Sequence, residues 1–171
     1  ESLGGLQGGF GHVYAQRQEV MTKKYKYYWE DFPVGSVREF GGITMTRDAI
    51  VDFAQRFDPQ PFHVDEEAAR HSPFGGLIAS GWHTASTAMR MACDAFLLES
   101  ASLGSPGIDE LKWVKPVRPG DTLRTRLTVL EARPSETKPH IGLLRTRWEI
   151  LNQANECVMT LEGHSMFRRR H

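Results

Sequence analysis

The segment FDPQPFHVDEE (57–67) places two prolines within three positions, and this limits the local fold more than any other stretch of the chain. Proline fixes φ and removes a backbone donor, so neither a helix interior nor a central strand accommodates Pro59 and Pro61 together. A helix that arrives from the N-terminal side must end at Asp58, because the residue before a proline disfavours helical geometry. We therefore expect a stiff, extended loop that displays Asp58 and His63.

Apolar periodicity predicts one helix before this loop and a longer helix after it. The first helix has Thr44 or Thr46 as its N-cap and Asp48 in its first turn, where the helix dipole favours an anion. Asp65 is suited to cap a short helix of one or two turns. The longer helix spans residues 80–99 and is apolar on all sides, which predicts a buried helix.

Alternating patterns separated by short polar breaks predict strands in the remainder of the chain. A strand precedes the first helix, and four more are expected as an antiparallel meander at 107–117, 121–134, 140–153 and 156–167. The order of elements predicts an α+β domain in which an antiparallel sheet wraps around one long central helix. Because such a sheet leaves one edge uncovered, we expect a homodimer or a higher homo-oligomer.

Charge and composition argue against several classes of function. Lys plus Arg and Asp plus Glu are equal at 21 each, so neither nucleic acid nor a membrane surface is expected as a partner. Cys93 and Cys157 lie far apart in sequence, which is typical of reduced thiols in a cytoplasmic protein. No histidines occur at metal-ligand spacing, so we predict no metal site. Residues 1–20 are interpreted as a tag or a disordered extension, and residues 21–171 as the domain.

Asp58 and His63 are candidates for an acid–base pair. A neutral imidazole accepts a proton from water near pH 7, and a nearby carboxylate orients that water. From these residues alone, the alternative is that Asp58 caps a turn and His63 is a packed side chain. Gly81, at the start of the long helix, adds an unpaired N–H that could bind an oxyanion, and its missing Cβ allows close approach to a ligand.

The run FAQRFDPQPFHVDEEAARHSPFGGLIASGWHTAS (53–86) resembles the hydratase-2 motif of MaoC-like dehydratases, the (R)-specific enoyl-CoA hydratases of hot-dog fold. In that family an Asp-x-Asn-Pro-x-His segment precedes a glycine that opens the central helix. The later VKPVRPGDTL (114–123) is similar to the family's strand-turn-strand. Two positions depart from the pattern, since Gln60 stands where the family has Asn and Ser80 where it often has His.

The resemblance implies a single hot-dog domain and a lyase of fatty acid metabolism that adds water to a trans-2-enoyl thioester or removes it. His63 would take the proton of the water, Asp58 would hold that water and help supply the proton at Cα, and the Gly81 N–H would bind the thioester oxygen. No cofactor is implied, because coenzyme A is part of the acyl-CoA substrate. The expected substrate contacts are Ser80, Gln60, Phe62, Phe74 and Trp82. Ser80 is equally a candidate for the N-cap of the long helix.

Two alternatives share the same fold. A hot-dog acyl-CoA thioesterase would keep the oxyanion hole but hydrolyse the C–S bond, and the Asp58/His63 pair favours a hydratase over it. A non-catalytic acyl-thioester-binding subunit would have no need of a base. Acyl length, and coenzyme A against acyl carrier protein, stay open from the sequence.

Overall fold

A five-stranded antiparallel sheet packs against one long helix in the computed structural model, which describes residues 24–170. The strands are β1 (Val37–Thr44), β2 (Gly107–Trp113), β3 (Thr122–Pro134), β4 (Ile141–Leu151) and β5 (Cys157–Arg168). The helices are α1 (Arg47–Phe57), α2 (Pro61–Val64), α3 (Glu66–Arg70) and α4 (Gly81–Ala95), with short 3₁₀ turns at Trp29–Asp31 and Leu97–Glu99. The predicted extension at residues 1–20, with its boundary, lies outside the described residues. Across residues 24–170, no helix is long and apolar enough to cross a membrane.

The strand order is β1-β3-β4-β5-β2, which confirms only part of the expected meander. Strands β3, β4 and β5 pair consecutively, whereas β2 pairs with β5 at the far edge of the sheet. The prediction that β2 opens the meander beside β3 was wrong. The chain after β2 instead passes the start of α4, where the Ala79 N–H donates to the Val117 carbonyl at 2.8 Å. This crossing brings the end of β2 to the start of the long helix.

Local capping signals determine the helices around the Pro-rich segment. Thr46 caps α1 by accepting a hydrogen bond from the Ala49 N–H, and α1 ends with Asp58 as its C-cap, as predicted. Asp65 caps α3, also as predicted. The expectation of an extended loop was wrong in one respect, because Pro61 is the first residue of the one-turn helix α2. A proline fits the first helical position, where its missing N–H has no intrahelical partner.

The long helix α4 ends at Ala95, four residues before the predicted end at residue 99. Phe96 leaves helical geometry with φ −157° and ψ −29°, and its side chain turns into the core. Its ring lies 5.7 Å from that of Phe32 and 5.6 Å from that of Phe40. Burial of this ring among other aromatic rings accounts for the early end, since a continued helix would direct Phe96 elsewhere.

Only one face of α4 is buried in the single chain, which corrects the prediction of a helix buried on all sides. Ala88, Met91 and Ala92 are almost wholly buried against the sheet. On the opposite side, Trp82 and Met89 are 59% and 49% exposed. The apolar residues that periodicity assigned to a core therefore include an outward-facing set.

Gly41 allows a close approach between α4 and β1. It lies at a register shift in β1 with φ +115°, and a Cβ at this position would collide with the sulfur of Met91. Gly42 has almost the same φ, +114°, but nothing lies within 4 Å of the position of its missing Cβ. The two adjacent glycines thus share a backbone requirement and differ only in packing.

We expect Gly41→Ala to destabilise the protein more than Gly42→Ala. Both changes carry the cost of a positive φ, about 1–3 kcal/mol, and only Gly41→Ala adds overpacking against Met91, about 1–3 kcal/mol more. Urea unfolding of both variants measures the difference in free energy of unfolding. Equal losses in the two variants would contradict the close packing of α4 on β1.

Candidate active site

Asp58 and His63 meet where α1 ends and α2 begins. The Asp58 Oδ2 and His63 Nε2 atoms are 3.3 Å apart, and the two side chains are 18% and 6% exposed. The two prolines produce this approach, since Pro59 follows the end of α1 and Pro61 starts the turn that carries His63. The structure therefore brings together the pair that the sequence suggested.

The main chain determines which nitrogen of His63 carries a proton. His63 Nδ1 lies 2.8 Å from the carbonyl oxygen of Ile78. A carbonyl oxygen only accepts hydrogen bonds, so Nδ1 carries the hydrogen and donates it. In the neutral imidazole the lone pair is then on Nε2, the atom that faces Asp58. This is the arrangement that a base acting on a bound water requires.

Two side chains donate hydrogen bonds to the carboxylate of Asp58. Gln60 Nε2 donates to Oδ1 at 2.8 Å, and Ser80 Oγ donates to Oδ2 at 2.7 Å. Burial alone would raise the pKa of Asp58, but the hydrogen bonds from Ser80 and Gln60, with the nearby His63, outweigh it and hold the pKa below its usual value. Asp58 is therefore ionised at neutral pH.

These contacts change the interpretation of Ser80 and Gln60, which were expected to touch substrate. Ser80 is 0% exposed, and besides binding Asp58 it caps α4 by accepting from the Trp82 N–H at 3.3 Å. A role as a substrate contact does not fit that burial. The Gln60 amide is bonded to the carboxylate beside it. The helix cap by Ser80 was one of the two roles expected for it, but nothing local in the sequence indicates that Ser80 and Gln60 donate hydrogen bonds to Asp58.

Gly81 is the first residue of α4, and its N–H has no acceptor among the residues that the structure describes. A Cβ at this position would collide with the indole ring of Trp113, at the end of β2. The ring of Trp113 also lies edge-on to Trp82, 5.3 Å away. Glycine is therefore required here by packing, in addition to the ligand access that the sequence suggested.

A cleft of about 480 Å³ contains all three candidate catalytic residues, Asp58, His63 and Gly81. Its walls include the aromatic residues predicted as substrate contacts, Phe62, Phe74 and Trp82. Trp113 and Lys115, which line the same cleft, were not predicted as site residues. The pairing of β2 with β5 and the crossing of the following segment past the start of α4 bring them here, and nothing near them in sequence indicates that pairing.

His83 lies outside this cleft. Its ring stacks on Phe53 with centroids 4.6 Å apart, and burial lowers its pKa. This geometry is that of a packed side chain. Among residues 24–170, no group of three or more His, Cys, Asp or Glu side chains is arranged to hold a metal ion.

Comparison with known proteins identifies a family. The model of the family described as MaoC like domain matches residues 31–144. The crystal structure of a MaoC-like dehydratase from Rhodospirillum rubrum is 42% identical, with a TM-score of 0.79, and the match covers 85% of this chain and 99% of that one. The unliganded R-hydratase PhaJ1 from Pseudomonas aeruginosa is 25% identical, with a TM-score of 0.67 and coverage of 84% and 86%. The 3-hydroxybutyryl-CoA dehydratase of Methylorubrum extorquens is 31% identical over 124 residues, 67% of this chain and 71% of that protein. The α+β hot-dog fold predicted from the sequence is confirmed.

We expect Gly81→Ala to displace Trp113, because the new methyl group and the indole ring cannot occupy the same space. The exciton circular dichroism of the Trp82–Trp113 pair should weaken, as it should in a Trp113→Phe reference. Gly76→Ala is the matched control, since a Cβ there meets only the end of the Arg118 side chain, at 3.4 Å. An unchanged signal in Gly81→Ala would contradict the packing of Trp113 on the start of α4.

Proposed function

Because the chain belongs to the MaoC-like domain family, we propose that it is a hydratase or dehydratase acting on a trans-2-enoyl thioester, with an enoyl-CoA as the substrate. The observation that carries the proposal is the 3.3 Å approach of Asp58 Oδ2 to His63 Nε2 in the cleft that also contains Gly81. Similarity to an R-hydratase and to a 3-hydroxybutyryl-CoA dehydratase supports the reaction class.

The mechanism follows from the atoms that face the cleft. A water molecule beside the pair, within hydrogen-bond distance of both Asp58 Oδ2 and His63 Nε2, donates one hydrogen to each, since both atoms carry lone pairs. The Nε2 lone pair accepts the water proton as the oxygen attacks Cβ of the substrate. Charge then develops on the thioester oxygen, which the free Gly81 N–H stabilises. One such donor is worth about 3 kcal/mol in the transition state.

The walls of the cleft suit an acyl thioester. Phe62, Phe74 and Trp82 contribute apolar surface beside the reacting atoms, and Lys115 supplies a cationic group at the same cleft. Water, the pair and the N–H account for the whole reaction, so the proposal includes no cofactor. A hot-dog thioesterase and a non-catalytic binding subunit are the alternatives that the assay below separates.

We expect Asp58→Asn and His63→Ala to lower the rate of crotonyl-CoA hydration by about 100- to 10,000-fold, because each removes one partner of the acid–base pair. The assay follows loss of the conjugated-thioester absorbance, with free thiol measured in the same sample. Asp48→Asn and His71→Ala are matched controls, because both side chains are exposed and lie outside the cleft. Their rates should equal that of the unmodified protein.

Other outcomes of this assay would redirect the proposal. Thiol release by the unmodified protein would indicate a thioesterase. Binding of crotonyl-CoA without loss of absorbance or release of thiol would indicate a binding subunit. Full hydration activity in His63→Ala would exclude the acid–base pair as the source of catalysis.

We also propose that two copies associate through the edge strand β2. Ile108 on β2 is 55% exposed and Met89 on α4 is 49% exposed, and both line an apolar cavity of about 320 Å³. A second copy paired along β2 would cover this apolar surface and the open strand edge together.

Light scattering should find a dimer for the unmodified protein and a monomer for Ile108→Arg, because a charge would be buried at the centre of the interface. Val37→Arg is the matched control, since Val37 is 54% exposed on β1, the opposite edge of the sheet. Dissociation by Val37→Arg with retention of the dimer by Ile108→Arg would show that the wrong edge was chosen.

A further inference from the structure

The carboxylate of Asp58 accepts hydrogen bonds at both of its oxygens from side chains of its own chain. Gln60 donates to Oδ1 and Ser80 donates to Oδ2, while His63 Nε2 lies beside Oδ2. We propose that Ser80 and Gln60 keep Asp58 ionised throughout the reaction, so that His63 alone carries the proton from water to Cα. This inference rests on the proposed hydratase function and changes the role expected for Asp58, which was to help supply that proton.

The hydroxyl hydrogen of Ser80 has Asp58 as its acceptor among the residues that the structure describes. The side chain is 0% exposed, and its oxygen already accepts the Trp82 N–H, so the hydrogen is directed at Asp58 Oδ2, 2.7 Å away. A buried hydroxyl that lost this acceptor would be left unsatisfied. Protonation of Asp58 at Oδ2 would make that oxygen a weaker acceptor, and the Ser80 contact therefore favours the ionised form.

The other charged groups near Asp58 also favour its ionised form. His63 on α2 is the nearest, and it favours the carboxylate form while it carries the proton as an imidazolium. Lys115, in the segment after β2, lines the same cleft and pairs with Glu156. Within the part of the chain that the structure describes, Asp58 is the only carboxylate lining the cleft. His83 on α4 stacks on Phe53 of α1 and has its pKa lowered by burial, so it is neutral at neutral pH. No second carboxylate among residues 24–170 lines this cleft to force a proton onto Asp58.

His63 Nε2 can carry the proton all the way from water to Cα. His63 Nε2 takes a proton from water, the water oxygen forms a bond to Cβ, and the π electrons move to Cα and the thioester oxygen as an enolate. The enolate carbon Cα then forms a bond to the proton on Nε2, and the electrons of the N–H bond return to the nitrogen. Water is added, and His63 ends neutral as it began. Asp58 stabilises the imidazolium while it exists and does not exchange a proton with substrate.

An Asp58 that stays ionised and an Asp58 that donates a proton predict opposite effects on the hydration rate, both when the pH rises and when the Ser80 hydroxyl is removed. If Asp58 stays ionised, hydration rises with pH to a plateau, because only protonation of the pair removes activity. If Asp58 had to donate a proton, hydration would fall as pH rises through the pKa of Asp58. Loss of the Ser80 donor raises that pKa, so it would slow the reaction in the first case and accelerate it near neutral pH in the second.

The test is the pH profile of crotonyl-CoA hydration by Ser80→Ala. We expect a plateau rate about tenfold lower, from loss of one hydrogen bond to a charged group. Thr46→Ala is the matched control, because Thr46 caps α1 as Ser80 caps α4 but does not touch Asp58. Its profile should match that of the unmodified protein. Gln60→Ala, which removes the other donor without disturbing a helix cap, should also lower the plateau rate.

A carbon-13 NMR titration of the Asp58 carboxyl, assigned by its absence in Asp58→Asn, reports ionisation without turnover. The carboxyl should titrate below the usual range of Asp in the unmodified protein and in Thr46→Ala, and higher in Ser80→Ala. A faster neutral rate in Ser80→Ala, or a carboxyl that does not move, would overturn this inference while leaving the hydratase standing. Absence of hydration by the unmodified protein would instead overturn the proposed function, and the proton assignment with it.

Discussion

The hydrogen bond from His63 Nδ1 to the Ile78 carbonyl is the contact on which the site depends. It is 2.8 Å long and buried, and the Ile78 N–H donates in turn to the Phe62 carbonyl at 3.3 Å. This pair of bonds joins the one-turn helix α2 to the segment that enters α4. It determines both the orientation of the imidazole and the nitrogen that keeps a lone pair. Asp58 then lies opposite that lone pair because α1 ends beside α2.

The sheet and the long helix position the remaining parts of the site. The crossing after β2 brings Trp113 against Gly81, so that the free N–H at the start of α4 opens into the same cleft as the acid–base pair. Ser80, one residue earlier, links the start of α4 to Asp58 at the end of α1. The site is therefore assembled from three chain segments, namely the end of α1, the helix α2 and the start of α4. A displaced start of α4 would affect the oxyanion donor and the carboxylate together.

The sequence predicted the features that depend on neighbouring residues. Thr46, Asp58 and Asp65 act at helix ends as expected, because caps and prolines act within a few residues. It did not predict the place of β2 at the far edge, because pairing with β5 depends on distant residues. Trp113 was missed as a site residue for the same reason, and Ser80 was assigned to substrate because its bond to Asp58 spans 22 residues. The family resemblance indicated the catalytic pair, but not which side chains donate hydrogen bonds to its carboxylate.

The most direct test of this account is the tautomer of His63, read from nitrogen-15 NMR of histidine-labelled protein with the signal assigned by its loss in His63→Ala. The account requires the neutral ring to carry its hydrogen on Nδ1, donated to Ile78, with Nε2 unprotonated towards Asp58. A neutral ring protonated at Nε2 would contradict it, because the nitrogen facing Asp58 would then have no lone pair with which to accept a proton from water.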